Sequence, residues 1–357
     1  MASVVKPEYP AGPRPVLRWT YPLPYSGSMT APFDVLTPDL AMEAVREAFA
    51  LDLEGIWVPY PSYINRVYGL RSSDGRDFVA KFYRPGRWSP EAVREEHAFL
   101  SELAAAEIPV AVPLPDTDGD TLPGLALETP DGGEVLYPFA LFPRRGGRLF
   151  DAETDEDWLR LGRLAGRVHS VGALRSAEHR TALRPGLLSA HAGELEREGF
   201  PHPECRAEFR EVVERAREIL DPLLAEARLL RIHGDFHRGN ILDRPGEGLL
   251  LMDFDDMVQG PAVQDLWLLL PGPSDECARE FALILEGYEE FRPFDPTEGA
   301  LIEPLRFLRM LHYLAWQARQ RGDSGFLRHF PDWGTRAFWI KETEDLRDQL
   351  RRVDGGL

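Results

Sequence analysis

The chain has 357 residues, enough for two compact units or for one bilobal fold. Its formal net charge of −18 argues against a nucleic-acid partner and against a polybasic membrane-surface role. It has only two cysteines, which rules out a disulfide framework and fits a reducing compartment. The first residues show no apolar stretch of the secretory type, and no apolar run approaches the roughly 18 residues of a membrane span. We therefore expect a cytoplasmic protein that does not enter membranes.

The predicted secondary structure changes twice in the amino-terminal third, from an arm to a helix and then to strands. Residues 1–30 are rich in proline and small polar residues, which predicts a loosely ordered arm. A helix follows, because Thr37 is a suitable N-cap and Pro38 fits the first helical position. From residue 55 the strings IWVPY, VYGLR and FVAKFY predict short strands, and Asp74-Gly75 predicts a hairpin between the last two.

A second helix is predicted after Ser89-Pro90, and VLYPFALF predicts a further strand that ends near residue 142. Beyond residue 150, apolar residues recur at three- and four-residue spacing, which predicts helices over residues 155–170, 206–228, 276–291, 304–321 and 336–352. The pattern therefore predicts an α+β bilobal fold. Its small lobe, residues 31–142, has an antiparallel sheet plus a helix, and its large lobe, residues 143–357, is mostly helical.

The segment HGDFHRGN carries the chemistry. Asp235 is separated from Asn240 by four residues, and Asp253 stands thirteen residues after Asn240, at the end of the apolar string LLLM. This spacing is that of the protein-kinase catalytic loop and metal-binding segment. Phosphoryl transfer requires a carboxylate for the acceptor hydroxyl and oxygen ligands for Mg²⁺. We therefore predict Asp235 as the catalytic base, and Asn240 and Asp253 as ligands of an Mg²⁺ ion that bridges the phosphates of ATP.

The segment HGDFHRGN also allows other interpretations. An aspartate in a loop more often caps a turn, so each of these residues alone would be uninformative. A metal hydrolase would use His233 and His237 together with an aspartate, but the remaining histidines form no second cluster. Asp255 and Asp256 either touch a second metal or cap the next segment, and we favour the cap. Asp265 is expected to brace the loop.

An ATP site of the protein-kinase type, here called the nucleotide side, requires a lysine on the third strand and a glutamate on the following helix. Lys81 interrupts the apolar string FVAKFY, and Glu96, preferred to Glu95, lies in the helix. Alone, Lys81 would be taken for a charge that blunts an edge strand. No glycine-rich phosphate loop is present, and Ser62 is a side-chain donor where that loop should lie. The hinge that would offer backbone groups to adenine ends at Phe142.

A family resemblance joins these motifs. The strings HGDFHRGN and MDFDD resemble the aminoglycoside phosphotransferase and choline kinase superfamily. With SYINRVY, KFYRPGRW, EEHAFLSEL, FPRRGGR and DFDDMVQGPAVQDLWLLL, the sequence over about residues 36–340 resembles the bacterial stress response kinase A family. The resemblance implies a monomeric, cytoplasmic serine/threonine protein kinase with a protein-kinase-like fold that acts in stress response. It also implies that Asp235 and Asp253 are active-site residues, that Asn240 and Asp253 bind Mg²⁺, and that Ser62 lies at the ATP site. The sequence departs from that family in its proline-rich arm and in Phe236, where a relative has cysteine.

The acceptor remains open at this point. The family-specific strings favour a protein with a Ser or Thr acceptor, including the chain itself. The superfamily motif and the acidic charge allow a small-molecule kinase of the aminoglycoside, choline or homoserine kinase type. A silent ATP-binding protein is disfavoured, because Lys81, Asp235, Asn240 and Asp253 are all present.

Overall fold

A computed structural model describes residue 33 and residues 35–60, 62–130, 132–323 and 325–355, with the side chains of residues 55–57 left aside. The predicted arm, residues 1–30, lies outside the described residues. By backbone contacts the chain forms two compact units. The described part of the first unit extends to Arg87 and includes Leu114–Phe142, and the second contains Trp88–Pro113 and Pro143 onward.

The first unit begins with helix α1 (Pro38–Phe49), whose start is set by local chemistry. The Thr37 side chain accepts the backbone N–H of Leu40 at 3.3 Å, and proline occupies the first helical position as predicted. The helix ends at Ala50 in the left-handed conformation, with a φ of 48°. Its buried face consists of small apolar residues, which lets it pack closely on the core of the unit.

Five strands form the sheet of the first unit: β1 (Leu53–Tyr60), β2 (Arg66–Ser72), β3 (Asp77–Phe82), β4 (Gly124–Glu128) and β5 (Glu134–Pro143). Their order is β1-β2-β3-β5-β4, and β1–β2, β2–β3 and β4–β5 are antiparallel pairs. The predicted hairpin joins β2 to β3, where Gly75 adopts a φ of 83°. Aromatic residues of the sheet interior form the core with α1, and Phe82 stacks on Phe139 at 4.7 Å between ring centroids.

Helix α2 (Pro90–Ala105) starts as predicted, because the Ser89 side chain accepts the N–H of Ala92 at 3.2 Å. The predicted small lobe of residues 31–142 includes this helix. By backbone contacts, however, Trp88–Pro113 groups with the second unit, where α2 packs against helix α3 (Asp155–Gly172).

The rest of the second unit is mainly helical. Its further helices are α4 (Leu187–Arg197), α5 (Arg206–Glu226), α6 (Val263–Leu268), α7 (Ala278–Glu289), α8 (Ile302–Gln320), α9 (Phe326–His329) and α10 (Arg336–Gly355). Its strands are β6 (Arg148–Leu149), β7 (Leu230–Ile232), β8 (Ile241–Arg244), β9 (Gly248–Leu251) and β10 (Val258–Gly260). They form a two-stranded sheet, β10-β7, and a three-stranded sheet, β6-β8-β9. In the described part of the chain, the helices lack the combination of length and hydrophobicity needed to cross a membrane.

Glycines allow α3 and α7 to approach closely. A Cβ atom on Gly162 would lie 2.0 Å from the carbonyl oxygen of Ile284, and one on Gly166 would lie 2.6 Å from that of Tyr288. Larger residues would therefore force the helices apart. The close approach matters for the site, because it brings the Tyr288 hydroxyl within 3.2 Å of His169 Nδ1 in the interior.

Candidate active site

The central loop, residues 233–240, leaves the buried strand β7. All three residues of β7 are buried, and the strand pairs with β10 in an antiparallel ladder that sets Ile232 opposite Val258. A strand buried on this scale moves less than a surface loop, so the loop that follows begins from a fixed point. Asp235 lies in this loop, three residues after the strand.

A buried carboxylate holds the start of the central loop, as predicted for Asp265. Asp265 accepts the backbone N–H of His233 at 2.8 Å and that of Gly234 at 2.9 Å. His169 Nε2 lies 3.0 Å from the same carboxylate, and Tyr288 contacts the other ring nitrogen of His169. Burial raises the pKa of Tyr288 above its ordinary range, so the hydroxyl remains a donor. The carboxylate thus satisfies two backbone donors that would otherwise be buried without an acceptor.

The imidazole of His233 connects the two halves of the site. Its Nδ1 accepts the backbone N–H of Asp235 at 3.2 Å, and its Nε2 lies 2.8 Å from the carbonyl oxygen of Met252. These two contacts are compatible with a neutral ring that carries its proton on Nε2. Met252 immediately precedes Asp253, so one ring links the base candidate to the metal-ligand candidate.

The Asp235 carboxylate lies among donors. Arg309 Nη2 is 2.5 Å from its Oδ1, His237 Nε2 is 3.3 Å from its Oδ2, and Asn240 Nδ2 is 3.4 Å from Oδ2. Burial acts to raise the pKa of Asp235, but the hydrogen bond from His237 and the charge of Arg309 outweigh it and hold the pKa well below its usual range. The group is therefore ionised at neutral pH.

Asn240 and Asp253 bring amide and carboxylate oxygens to the ends of neighbouring strands. Asn240 precedes β8, and its carbonyl accepts the N–H of Met252 at 2.9 Å, one residue after β9. Asp253 has a φ of 58° and a ψ of 67°, a left-handed conformation that is uncommon for a residue other than glycine. Among the residues described, no group of three or more His, Cys, Asp or Glu side chains is arranged to hold a metal. The donor set fits Mg²⁺, which prefers oxygen and takes its remaining ligands from phosphate and water.

An arginine after α3 ties the segment that follows Asp253 to α2. Arg180 donates to the carbonyl oxygen of Asp255 at 2.6 Å, to that of Ala92 at 2.7 Å and to Glu96 Oε2 at 2.7 Å. Its guanidinium also stacks over the Trp88 ring at 4.4 Å from the centroid. Glu96 is buried, whereas Glu95 accepts two backbone N–H groups elsewhere in the unit, which distinguishes the two glutamates considered for the nucleotide side.

The remaining predicted nucleotide residues belong to the first unit. Ser62 lies in the turn between β1 and β2, where its Oγ accepts the N–H of Asn65 at 3.3 Å. Lys81 lies on β3 opposite Val67, with its Nζ 5.0 Å from the centre of the Tyr83 ring. Phe142 lies near the end of β5.

The structure adds two residues that the sequence did not indicate. Arg309 contacts Asp235 across 74 positions of sequence, and Arg180 contacts Glu96 across 84. Neither arginine stands in a recognisable motif, and helix α8 gives only the general signal of an amphipathic helix around Arg309. No local pattern would have found them.

Comparison with known proteins agrees with this arrangement. The Phosphotransferase enzyme family (APH) matches residues 57–302. Serine/threonine protein kinase RdoA of Salmonella typhimurium (strain LT2) is 38% identical over 325 residues, which cover 89% of this chain and 94% of the relative. Stress response kinase A of Escherichia coli (strain K12) is 36% identical over 324 residues, again with 89% and 94% covered. The solved structure of amicoumacin kinase hAmiN with AMP-PNP, Ca²⁺ and Ami is similar with a TM-score of 0.68 at 17% identity, covering 87% of this chain and 93% of that one.

The structural likeness confirms the predicted α+β, protein-kinase-like fold, and the relatives confirm the predicted resemblance to stress response kinase A. The family match spans more than half of the chain. The chain therefore belongs to the APH phosphotransferase enzyme family and is a phosphotransferase.

Proposed function

We propose that this phosphotransferase is an ATP- and Mg²⁺-dependent serine/threonine protein kinase. One observation carries the proposal: an ionised carboxylate, Asp235, lies on a loop braced by buried hydrogen bonds. Asn240 lies beside it, and His233 connects its backbone to Met252, the residue before Asp253. Two relatives with more than a third of their residues identical are named for kinase activity, and one of these names specifies serine and threonine.

Asp235 would act on the acceptor hydroxyl. Its carboxylate accepts a hydrogen bond from the hydroxyl and orients the oxygen toward the γ-phosphorus of ATP. The new bond joins the acceptor oxygen to that phosphorus, the bond to the β,γ-bridging oxygen breaks, and ADP leaves. The lowered pKa of Asp235 makes it a weak base, so orientation precedes proton uptake, which completes only as the oxygen becomes phosphorylated.

Asn240 and Asp253 would hold Mg²⁺. A bound Mg²⁺ would neutralise charge on the phosphates of ATP. The two side chains suit this task because both offer oxygen, and both lie where a strand fixes the backbone beside them. The complex of amicoumacin kinase with AMP-PNP and Ca²⁺ supports nucleotide and divalent-cation use in proteins of this fold.

Lys81, Glu96, Ser62 and Phe142 are proposed for the nucleotide. Lys81 would supply the cation for the phosphates, and Glu96 is the glutamate that the kinase pattern assigns to the nucleotide side. Ser62 lies in a tight turn, where backbone N–H groups and the hydroxyl are donors for phosphate. The backbone groups near Phe142 would form hydrogen bonds with adenine. We further propose that the protein is a monomer in the cytoplasm, acts in stress response, and has itself among its acceptors.

The acceptor is tested by label transfer. The purified protein is incubated with γ-labelled ATP and Mg²⁺, alone, with generic protein substrates, and with a panel of amino alcohols. The proposal expects label on serine and threonine after acid hydrolysis of protein. Label that appears only on a small molecule would replace the proposal with a small-molecule kinase, and omission of Mg²⁺ should abolish transfer in either case.

A further inference from the structure

Both oxygens of the proposed catalytic carboxylate already have donors. Arg309 lies at Oδ1 of Asp235 at 2.5 Å, and His237 and Asn240 lie at Oδ2 at 3.3 and 3.4 Å. An acceptor hydroxyl needs one of these oxygens as its hydrogen-bond acceptor. A carboxylate oxygen can accept two hydrogen bonds, so Oδ1 can accept the hydroxyl beside Arg309.

The three donors differ in where they come from. His237 and Asn240 belong to the same braced loop as Asp235, and Asn240 also donates to the Asp235 backbone carbonyl at 3.0 Å. Arg309 comes from a different element, helix α8, and 40% of its side chain is exposed. An acceptor that reaches Oδ1 from solvent therefore contacts the Arg309 guanidinium.

A guanidinium beside the acceptor stabilises an anion next to the hydroxyl. The two other arginines of α8 pair with carboxylates of this chain, Arg306 with Glu303 at 3.3 Å and Arg319 with Glu194 at 2.6 Å. Arg309 is therefore the arginine of this helix that lies at the proposed catalytic carboxylate. A cationic acceptor, by contrast, would be repelled by Arg309 at the point where its hydroxyl has to meet Asp235.

We propose that Arg309 is a specificity-determining residue, which selects hydroxyl acceptors with a carboxylate or another anion beside the hydroxyl, and disfavours cationic acceptors. The hydroxyl binds to Oδ1 beside Arg309, and the anion contacts the guanidinium. In a protein substrate this describes a Ser or Thr flanked by Asp or Glu. This inference rests on the proposed kinase function and names the acceptor class of the same site.

A peptide library with a central Ser or Thr tests the proposal. The flanking positions are acidic, neutral or basic, and kcat/KM is compared among the wild type, Arg309→Gln, Arg309→Lys and the control Arg319→Gln. Arg319 lies on the same helix and pairs with Glu194 at 2.6 Å. We expect the wild type, Arg309→Lys and Arg319→Gln to favour acidic over basic flanks by about tenfold or more, the order expected for one charge contact. Arg309→Gln should lose most of that preference.

A second readout separates this role from a structural one. Arg309→Gln should raise KM for the acidic peptides and lower it for the basic ones, while KM for ATP stays near the wild-type value. Equal preference in the wild type and Arg309→Gln, or a wild-type preference for basic flanks, would overturn the proposal.

The proposed function can fail separately. If only small molecules accept phosphate, an amino alcohol and a hydroxy acid of equal length replace the peptides. The inference then expects the wild type to prefer the hydroxy acid, and Arg309→Gln to gain activity on the amino alcohol. A wild-type preference for the amino alcohol that survives in Arg309→Gln would refute it.

Discussion

Arg180 and Glu96 form a buried ion pair, with Nη2 of the arginine 2.7 Å from Oε2 of the glutamate. Their side chains are 0% and 2% exposed. The same guanidinium donates to the Asp255 carbonyl, two residues after the metal-ligand candidate Asp253. A buried pair contributes little net stability when intact, but the removal of one partner leaves the other charge in a poor environment.

We therefore predict that Arg180→Met lowers the free energy of unfolding by about 3–5 kcal/mol. It should also slow phosphotransfer, because the segment after Asp253 loses a donor. Urea denaturation and kcat measure the two effects. The control is Arg210→Met, which breaks the exposed pair with Glu196 and should leave the free energy of unfolding nearly unchanged. Equal losses in the two variants would contradict the role given to burial.

Asp265→Asn tests the brace of the central loop. Asparagine has one acceptor oxygen, so one of the two backbone N–H groups, from His233 or Gly234, would face an amide nitrogen instead. We expect a loss of roughly 1–3 kcal/mol in unfolding free energy, the cost of one unsatisfied buried donor. We also expect kcat to fall more than the affinity for ATP.

A matched control for that variant is Asp295→Asn. Asp295 is the N-cap of the short 3₁₀ helix Pro296–Leu301, and its side chain accepts the N–H of Thr297 at 3.0 Å. Asparagine caps about as well as aspartate. The free energy of unfolding of Asp295→Asn should therefore stay close to that of the wild type. A wild-type kcat in Asp265→Asn would show that the loop does not depend on this carboxylate.

Two glycines with the same backbone conformation separate strain from steric clash. Gly234 and Gly246 both have a φ of 83°. A Cβ atom at Gly234 would lie 2.1 Å from the carbonyl oxygen of Asp256, whereas one at Gly246 meets nothing within 4 Å. Gly246→Ala should cost about 1–2 kcal/mol, the strain of the left-handed conformation alone.

Gly234→Ala should cost clearly more than Gly246→Ala, because the central loop or the segment after Asp253 has to shift. Gly234→Ala should also reduce phosphotransfer strongly, while Gly246→Ala should keep the wild-type rate. Thermal or urea unfolding and single-turnover transfer measure the difference. Matching stability and activity in the two variants would mean that the close approach at Gly234 is unimportant.

The pH dependence of stability is expected to contain a contribution from His191. Burial lowers the pKa of His191 to about 4, and the charge of Arg319 acts in the same direction while Glu194 opposes it. Its ring also lies 3.3 Å from that of His312, measured between nitrogens. The ordinary pKa is 6.5, so below that pH the unfolded chain binds a proton that the folded chain excludes. The stability that this group contributes is present above pH 6.5 and is lost as the pH falls toward 4.

We expect the wild type to lose on the order of 2 kcal/mol more than His191→Gln between neutral pH and about pH 4.5. Urea titrations of both proteins at several pH values give the slope of unfolding free energy against pH. His329→Gln replaces an exposed histidine and should keep the wild-type slope. Parallel slopes for the wild type and His191→Gln would contradict the assignment.

Local signals account for much of what the sequence predicted correctly. The caps at Thr37 and Ser89 and the turn at Gly75 depend on residues within a few positions, so the structure shows them where expected. The helix predicted over residues 206–228 is observed as Arg206–Glu226. Helix α4, by contrast, was not predicted, because it begins after Gly186 without a side-chain cap and its apolar positions are few. Helix α6 is only six residues long, too short for a periodic signal.

The candidate site also has one part that local sequence signals predicted and one part that they did not. The central loop was predicted because its chemistry is concentrated in one segment, where spacing alone relates Asp235, Asn240 and Asp253. Its electrostatics were not predicted, because the cation at Asp235 is supplied by Arg309, 74 positions away on another element. Contacts of that kind arise from tertiary packing, which leaves no local pattern.

The most direct test of the central claim is phosphotransfer by Asp235→Asn compared with the wild type, with nucleotide binding measured on both. Asparagine keeps the size of the side chain and can still accept from Arg309 or Asn240, but it cannot take a proton from the acceptor. Transfer from ATP to Ser or Thr should fall by roughly 10²–10⁴-fold in Asp235→Asn, while ATP affinity stays nearly unchanged. Near-normal transfer by Asp235→Asn would contradict the central role of this carboxylate.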